Sequence, residues 1–549
     1  MPYPIKYIEN NLVWNNEGEC FAYYELIPFN YSFLSLEQKD AVHDAFRQLI
    51  AQNRDGKIHA LQISTESSIR AAQERSKKSV TGRLKEIACA EIDEQTENLI
   101  ASLGDTQVDY RFFLGFKLVV TDKELSVKEM GKTAKNLLHD AANAIGHSFM
   151  GDFVSMPNDE IRRYIRMEKL MENKLSRRFK VRRLNKNDFG YLLEHIYGRT
   201  GTAYEDFEFT LPLKKRKRDT LVKRYDLIKP ARCLIEEKQR YLYMKSEDSE
   251  SYVAYFTISD VVGELDFPSS EIFYYQEQQF DFAIDTSMNV EIITNKAALH
   301  TVRNKKKELK DLDNHAWENN SETTNQVAEA LDSVDELESV LDQSKESMYK
   351  LSYVVRVTAP DTEELKRRCN QVRDFYDDAS IKLVRPIGDM MGLHNEFIPS
   401  SKRYMNDYVQ YVTSDFLAGM GFGATQMLGE RDGIYLGYNV DTDQNVYVQP
   451  AKAAQGVKGS VTNALSGAFL GSLGGGKSLS FNLLTYYAVL NGAQALILDP
   501  KSERGLWKEK LPEIADEINI VNLTSDEENK GMLDPYIIMR KTKDAESLA

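Results

Sequence analysis

Cysteine is scarce: Cys20, Cys89, Cys233 and Cys369 lie far apart, with no Cys-x-x-Cys pair and no Cys/His ligand spacing. That pattern argues against a disulfide framework and against a zinc module, and reads as the reduced thiols of a cytoplasmic protein. Long apolar runs are also missing, and the opening residues from Met1 to Tyr7 lack the hydrophobic stretch of a secretory signal. The chain is therefore expected neither to span a membrane nor to be exported by itself. Excess positive charge is the third absence. A formal charge of −14 argues against a surface that is basic throughout, while leaving room for a motor that confines nucleic-acid contacts to one channel. Two basic runs, Lys214–Arg218 and Arg303–Lys307, read as solvated loop or helix faces before they read as phosphate or lipid contacts.

What is present is an ordinary globular balance, 42% apolar and 28% charged, in 549 residues. That length exceeds one hydrophobic core and predicts two to four domains. Phe21–Phe29 is strand-like, and Ser35 with Gln38 has the spacing of a capping box that opens a helix to about Gln52. Ile58–Ser64 reads as a strand, Ser67–Leu103 as one long polar helix, Tyr110–Val120 as a strand and Ser126–Ala144 as a helix. This order predicts an α+β region with helices over one face of a sheet. Pro157–Phe282 carries a charged helix at Ile161–Arg177 and β-branched or aromatic runs at Tyr252–Val262 and Glu271–Phe282, without a chemical motif.

Val327, Leu331, Val334, Leu337 and Leu341 share a helix face, Leu351 to Val357 alternate as in a half-buried strand, Asp361 caps a helix to Asp377, and Ile381–Val384 is again strand-like. This run resembles half of a ferredoxin-like unit. Glycine then becomes denser and charge sparser, which places a domain boundary near residues 390–415. The expected organisation is an α+β region over 1–400 and a P-loop domain over 401–549. Short strands are expected at Ile434–Leu436 and Val446–Gln449.

Gly471 to Ser478 satisfies G-x-x-x-x-G-K-[ST]. Ser466–Leu470 before it and Ala493–Leu498 after it read as buried strands, and Ser478–Leu490 as a helix apolar on nearly every side. Triphosphate oxygens need several backbone N–H groups turned inward, and a loop wraps that tightly only where missing β-carbons allow positive φ. Gly474, Gly475 and Gly476 supply this freedom, Lys477 neutralises the β and γ phosphates, and Ser478 offers a hydroxyl to Mg²⁺. The predicted ATP contacts are Gly471, Gly474, Gly475, Gly476, Lys477, Ser478 and Leu479, with Lys477 also the catalytic residue and Ser478 the metal ligand. The competing reading is a glycine-rich hairpin with an incidental lysine. Asp499 closes a short apolar run in the manner of a metal-binding acid, yet its place directly after the P-loop helix favours a strand-end carboxylate. Ile518–Leu523 is a further short strand.

Taken in order, the N-terminal α+β region, Tyr411–Leu417, Gly433–Gly437, the P-loop, Ile497–Glu503 and Gly531–Tyr536 resemble the conjugative-transfer ATPases of type IV secretion systems. This is the TraC/TraE/TrbE group, related to the HerA/FtsK motors, and the members from Gram-positive conjugative elements look closest. The resemblance implies an N-terminal part that docks on inner-membrane components of the apparatus and a C-terminal RecA-like motor. It further implies ATP and Mg²⁺ as cofactors, hexameric self-association, a DNA or relaxase–DNA substrate, and a cytoplasmic location peripheral to the membrane. Lys477 and Ser478 match the family's P-loop lysine and hydroxyl, and Asp499, Lys501 and Glu503 match its Asp-Pro-Lys-x-Glu element. Gly421-Phe422 departs from the Pro-Phe of relatives. The family's Walker B acids, glutamine motif and arginine finger have no counterpart up to Ala549, so the chain is expected to be C-terminally truncated, to bind nucleotide weakly without turnover, and to expose Leu496 and Leu498. A HerA/FtsK-like translocase outside conjugation and a non-hydrolysing scaffold are the alternatives.

Overall fold

The computed structural model describes residues 3–53, 56–104, 106–119, 158–198, 204, 207–209, 222–223, 233–246, 249–261, 267–318, 325–440, 442, 444–452 and 466–521. The expected helix Ser126–Ala144, the basic run Lys214–Arg218 and the block Gly531–Tyr536 lie outside them. In order, the first elements are β1 (Ile5–Glu9), β2 (Leu12–Asn15), β3 (Cys20–Leu26), β4 (Phe29–Asn30), α1 (Leu36–Ala51), β5 (Lys57–Ser68), α2 (Ile69–Ser79) and α3 (Lys85–Leu103). Next come β6 (Thr106–Leu118), α4 (Asn158–Ser176), β7 (Val181–Arg183), α5 (Lys186–Gly198), β8 (Val222–Lys223), β9 (Leu234–Glu237), β10 (Leu242–Lys245) and β11 (Glu250–Val261). The chain continues through α6 (Ile272–Gln279), β12 (Ile284–Ile293), α7 (Asn295–Glu318), α8 (Asn325–Ser344), β13 (Met348–Ala359), α9 (Thr362–Asp378), β14 (Ile381–Val384) and α10 (Met390–Asn395). It closes with β15 (Gln410–Val412), α11 (Ser414–Gly419), β16 (Ala424–Thr425), β17 (Ile434–Tyr438), β18 (Asn445–Val448), α12 (Lys477–Leu490) and α13 (Trp507–Lys510).

Fourteen strands form one antiparallel sheet whose main path runs β8-β1-β2-β3-β6-β5-β12-β13-β11-β10-β9, with β7 added on β3, β14 on β11 and β15 on β13. Its centre is built twice. The order β7-β3-β6-β5, with α1 following β3 and α4 preceding β7, is a β-α-β-β-α-β unit, and β14-β11-β13-β12 with α6 and α9 is a second. The two meet edge to edge, Thr286 to Glu291 of β12 against Gln62 to Lys57 of β5. In each unit a helical hairpin links the second and third strands in chain order, α2–α3 between β5 and β6, α7–α8 between β12 and β13. The sequence had suggested only half of the second unit.

Local signals set the helix starts. Ser35 accepts from the Gln38 N–H at 3.3 Å while Gln38 accepts from the Ser35 N–H at 2.9 Å, and Asp361 accepts from Glu363 and Glu364 N–H at 2.9 Å each. The single helix expected over Ser67–Leu103 is two helices. Val80 is buried and Gly82 takes φ +97°, so the chain reverses there and α3 packs back on α2. The aromatic run at Glu271–Phe282 holds the helix α6, which buries Ile272 and Phe273. Arg303 and Lys306 of the second basic run pair with Glu338 across the α7–α8 hairpin, so that run is a solvated helix face.

Both faces of the sheet are covered, where helices over one face were expected. On one face α1, α4, α6 and α9 pack over Tyr24, Phe112, Tyr353 and Val355. On the other, α5 and the segment around α10 pack over Phe21, Tyr23, Phe113 and Val354. β13 is accordingly buried on both sides rather than half-buried. Under the second layer a buried polar cluster forms around Asp285. Asp285 accepts from Arg356 Nη1 at 2.8 Å, from the Ser64 hydroxyl at 2.7 Å and from the Ser64 N–H at 2.8 Å, and lies 3.0 Å from His195 Nε2. Burial would raise its pKa, but His195, Arg356 and Ser64 outweigh that and hold it well below the usual carboxylate range.

The stretch near residues 390–415, where a domain boundary is expected, contributes to this layer. His394, Glu396 and Ser400 are wholly buried. The Glu396 carboxylate accepts from Ser352 Oγ at 2.6 Å and from the Tyr404 and Met405 N–H groups at 2.9 and 3.0 Å. Farther on, β15 joins β13 and β16 pairs with β4. Residues 401–426 thus belong to the sheet body, and their glycines serve close packing rather than a linker. Gly421 has φ +71°, and a β-carbon there would come 2.9 Å from Glu271 Cβ. Proline is fixed near −65°, so this backbone excludes the Pro-Phe of the resemblance.

Candidate phosphate-binding site

The site begins with the turn into α12. Gly474 and Gly476 adopt φ +80° and +78°, the left-handed region in which side chains are strained, and Gly476 caps the helix. The Gly475 N–H donates to Ser472 O at 3.1 Å, closing the loop, and a β-carbon on Gly475 would lie 3.2 Å from that same oxygen. Gly471 is equally constrained: a β-carbon would sit 3.2 Å from Lys477 Cγ. Lys477 folds back over the loop, its ammonium donating to Ser472 O at 2.7 Å. Ser478 and Leu479 follow on the first exposed turn of α12, where helix N–H groups have no intrahelical acceptor. All seven residues assigned to the nucleotide from sequence are thus gathered at one helix N-terminus.

The fit to a phosphate chain rests on this geometry. Two left-handed glycines and two further glycines where a β-carbon would be in tight contact form the run of backbone at the positive end of a 14-residue helix. If ATP binds, Lys477 would exchange its carbonyl for phosphate oxygens, and the Ser478 hydroxyl would reach a magnesium ion held by those phosphates.

The surroundings of α12 differ from expectation. Only Leu490 of the helix is buried. It packs with Val80, Ala88 and Ile514, so α12 leans on the α2–α3 hairpin rather than between a sheet and a covering layer. Asn491 ends the helix, and Gly492 passes so close to Thr81 that a β-carbon would lie 2.6 Å from its carbonyl oxygen. Residues 466–470 and 493–498 pair with no strand among the described residues, so the expected buried strands are corrected to unpaired segments. Leu470, Leu496 and Leu498 are 90%, 91% and 80% exposed. A lone strand gains too little to hold a ladder without neighbours. Ile518–Val521 is likewise unpaired, and the rest of that expected strand lies outside the described residues.

Asp499 is engaged locally. Its carboxylate accepts from the Arg504 N–H at 2.8 Å and the Lys501 N–H at 3.3 Å, with Arg504 Nη1 at 3.4 Å. The Arg504 N–H first, then that of Lys501 and the guanidinium charge, lower its pKa. The Arg504 Nε in turn donates to Asn482 Oδ1 at 2.9 Å, tying the turn after the 493–498 segment to α12. Arg504 and Asn482 were missed from sequence. The Asp-to-Arg spacing was readable, but nothing in it indicated which turn of α12 the arginine would meet.

The loop is also fastened to the body. β17 contacts α12. Its hairpin with β18 is held by the Gly433 N–H donating to Ser76 Oγ at 2.9 Å and by Arg431 with Asp109 at 2.8 Å. Gln444 Nε2 donates to Glu277 Oε1 at 3.0 Å, and the Gln426 N–H donates to Glu277 Oε2 at 2.5 Å. Burial pushes the Glu277 carboxyl up to about 7 despite these two donors.

Comparison with known proteins places an AAA-like domain here: residues 444–549 match that family, a stretch that contains the glycine loop and α12. The chain is also 20% identical over 527 residues to the uncharacterized protein YddE of Bacillus subtilis strain 168, across 92% of this chain and 61% of that protein. It therefore spans less than two thirds of that relative's length. No helix among the described residues is long and apolar enough to cross a membrane. The comparisons and the fold together describe a mixed α/β chain with a large antiparallel sheet and an AAA-like domain at its C-terminal side.

Proposed function

We propose that this chain is the ATP-binding motor component of a conjugative type IV secretion apparatus. The observation that carries the reading is the glycine loop, with Gly474 and Gly476 left-handed and Lys477 folded over Ser472 O, inside the stretch that matches an AAA-like domain. In this reading residues 466–521 are part of a RecA-like motor, and the sheet body with its two ferredoxin-like units docks on inner-membrane components from the cytoplasmic side. The motor acts as a hexamer on DNA or a relaxase–DNA complex. The ordered sequence blocks shared with conjugative ATPases support the assignment to conjugation. Lys477 and the amides of the loop hold the triphosphate, Ser478 supplies a magnesium ligand, and Asp499 keeps Arg504 and the following turn in place.

Removing the lysine tests the reading. Lys477→Ala is expected to weaken ATP binding to the purified chain at least tenfold, about 1.4 kcal/mol, with an unchanged thermal midpoint. Calorimetric titration with MgATP reads it, and unchanged affinity rejects the phosphate-loop assignment. For the assignment to conjugation, a donor strain carrying only the Lys477→Ala form should lose plasmid or element transfer while its growth is normal.

A further inference from the structure

A second basic site lies far along the chain from the glycine loop. Between α9, β14 and the β9–β10 turn is a pocket of about 410 Å³ whose polar lining includes Arg240, Lys366, Asn370, Arg373 and Arg385, over a floor that includes Phe256 and Leu383. Its composition follows from local structure. Lys366, Asn370 and Arg373 are spaced by four and three residues along α9 and share one helix face. Arg385 directly follows β14, and Arg240 enters from a turn anchored where the Gly388 N–H donates to Gln239 O at 3.1 Å.

Among the described residues, no carboxylate lines this pocket. Among the described residues Arg240, Lys366 and Arg385 form no ion pair, and Arg373 has only Asp374 at 3.9 Å. Arg385 Nη1 is left against Cys369 Sγ at 3.4 Å and Arg373 Nη2 against Asn370 Oδ1 at 3.1 Å. The next arginines on the same helix are neutralised, Arg367 and Arg368 both reaching Glu364 at 2.7 and 2.6 Å. In a chain of net charge −14, four cations converge on one concavity, and only Arg373 has a carboxylate near it, at the 3.9 Å limit of an ion pair. Like charges held together cost free energy that an anion offsets, and guanidinium groups match phosphate oxygens in two-pronged geometry.

We propose that this pocket binds a multiply phosphorylated anion, either a soluble small molecule or the headgroup of a phospholipid, independently of nucleotide at the glycine loop. The apolar floor of Phe256 and Leu383 gives such a ligand a face to rest on while the rim binds its phosphates.

The test uses the full chain carrying Lys477→Ala, so that binding at the glycine loop is suppressed. Calorimetric titration with inorganic tripolyphosphate is expected to show binding that weakens with salt. Lys366→Gln with Arg385→Gln should weaken it tenfold or more, Arg385→Lys should weaken it less because it keeps the charge while losing the two-pronged geometry, and Lys382→Gln, an exposed neighbour on β14, should leave it unchanged. Co-sedimentation with cardiolipin vesicles is the second arm. Vesicle binding lost in the double variant, without binding of free tripolyphosphate, assigns the site to a headgroup, whereas the reverse assigns it to a soluble ligand. Equal thermal midpoints among the variants exclude loss of fold. Failure of both probes, or binding that the double variant leaves intact, overturns the proposal.

Discussion

In the sheet body, Arg356 and Asp285 lie side by side with 1% and 4% of their side chains exposed, whereas in residues 466–521 Leu473 and Leu496 stand in solvent. The first region buries charge and the second exposes leucine, an inversion of the usual rule in both directions. The body can bury charge because two layers close over its sheet and every oxygen of Asp285 finds a donor. Around the glycine loop the order is set by backbone instead, through left-handed glycines, a helix N-terminus and a lysine bound to its own loop. The body's stability should therefore depend on side-chain chemistry, and the loop's activity on backbone geometry.

The largest expected effect tests the first half of that contrast. Asp285→Ala leaves Arg356 and His195 buried without their shared carboxylate and is expected to cost about 3–5 kcal/mol in urea denaturation. ATP affinity per folded molecule should be unchanged. A loss of less than about 1 kcal/mol would mean that the buried network is dispensable.

The Glu277 junction sharpens the comparison, because it joins α6 to the hairpin beside α12. Its folded pKa of about 7 lies above the ordinary carboxyl value of 4.5, so the folded state holds the proton more tightly. Its contribution is fully favourable below the unfolded value and is lost as pH rises through about 7, a swing of roughly 3 kcal/mol. His59 and His394 act in the opposite sense, since burial lowers them to about 4 and about 3 and protonation on acidification then favours the unfolded chain. The difference between wild type and Glu277→Gln isolates the carboxyl. Between about pH 5 and pH 8 the wild type should lose stability relative to the variant, read from urea midpoints. Parallel profiles would show that Glu277 ionises normally.

The smallest effect addresses the loop. Gly476→Ala places a β-carbon at φ +78°, a local strain of about 1–2 kcal/mol. Thermal stability of the body should hardly change, while ATP affinity should fall by about tenfold as the helix start shifts. An unaltered affinity would show that the left-handed cap is not part of the binding geometry.

Much of this was readable in the sequence where the determinant is local. Ser35 with Gln38, Asp361 with Glu364, and the glycines before Lys477 act within a few residues of themselves, so α1 and α9 start where residue type and spacing placed them, and α12 starts directly after the glycine run. The long helix over Ser67–Leu103 was misread because its break at Gly82 depends on where α3 can pack. The close packing of Gly421 against Glu271 and of Gly423 against Leu26 was not legible, because glycine density indicates freedom of backbone and not what that freedom serves.

The sequence by itself determined the glycine run and the start of the helix after it, the strands of the second ferredoxin-like unit from Leu351 onward, and the absence of a long apolar run. Tertiary structure alone decided that two such units share one sheet, that residues 394–400 form a buried layer against it, and that α12 rests on the α2–α3 hairpin. It also brought Arg240 to Lys366 and Arg385 to make a basic pocket. The physical reason is range: caps, turns and helix faces are set by neighbours three or four residues apart, whereas strand order, burial of charge and convergence of cations depend on residues tens to hundreds of positions away.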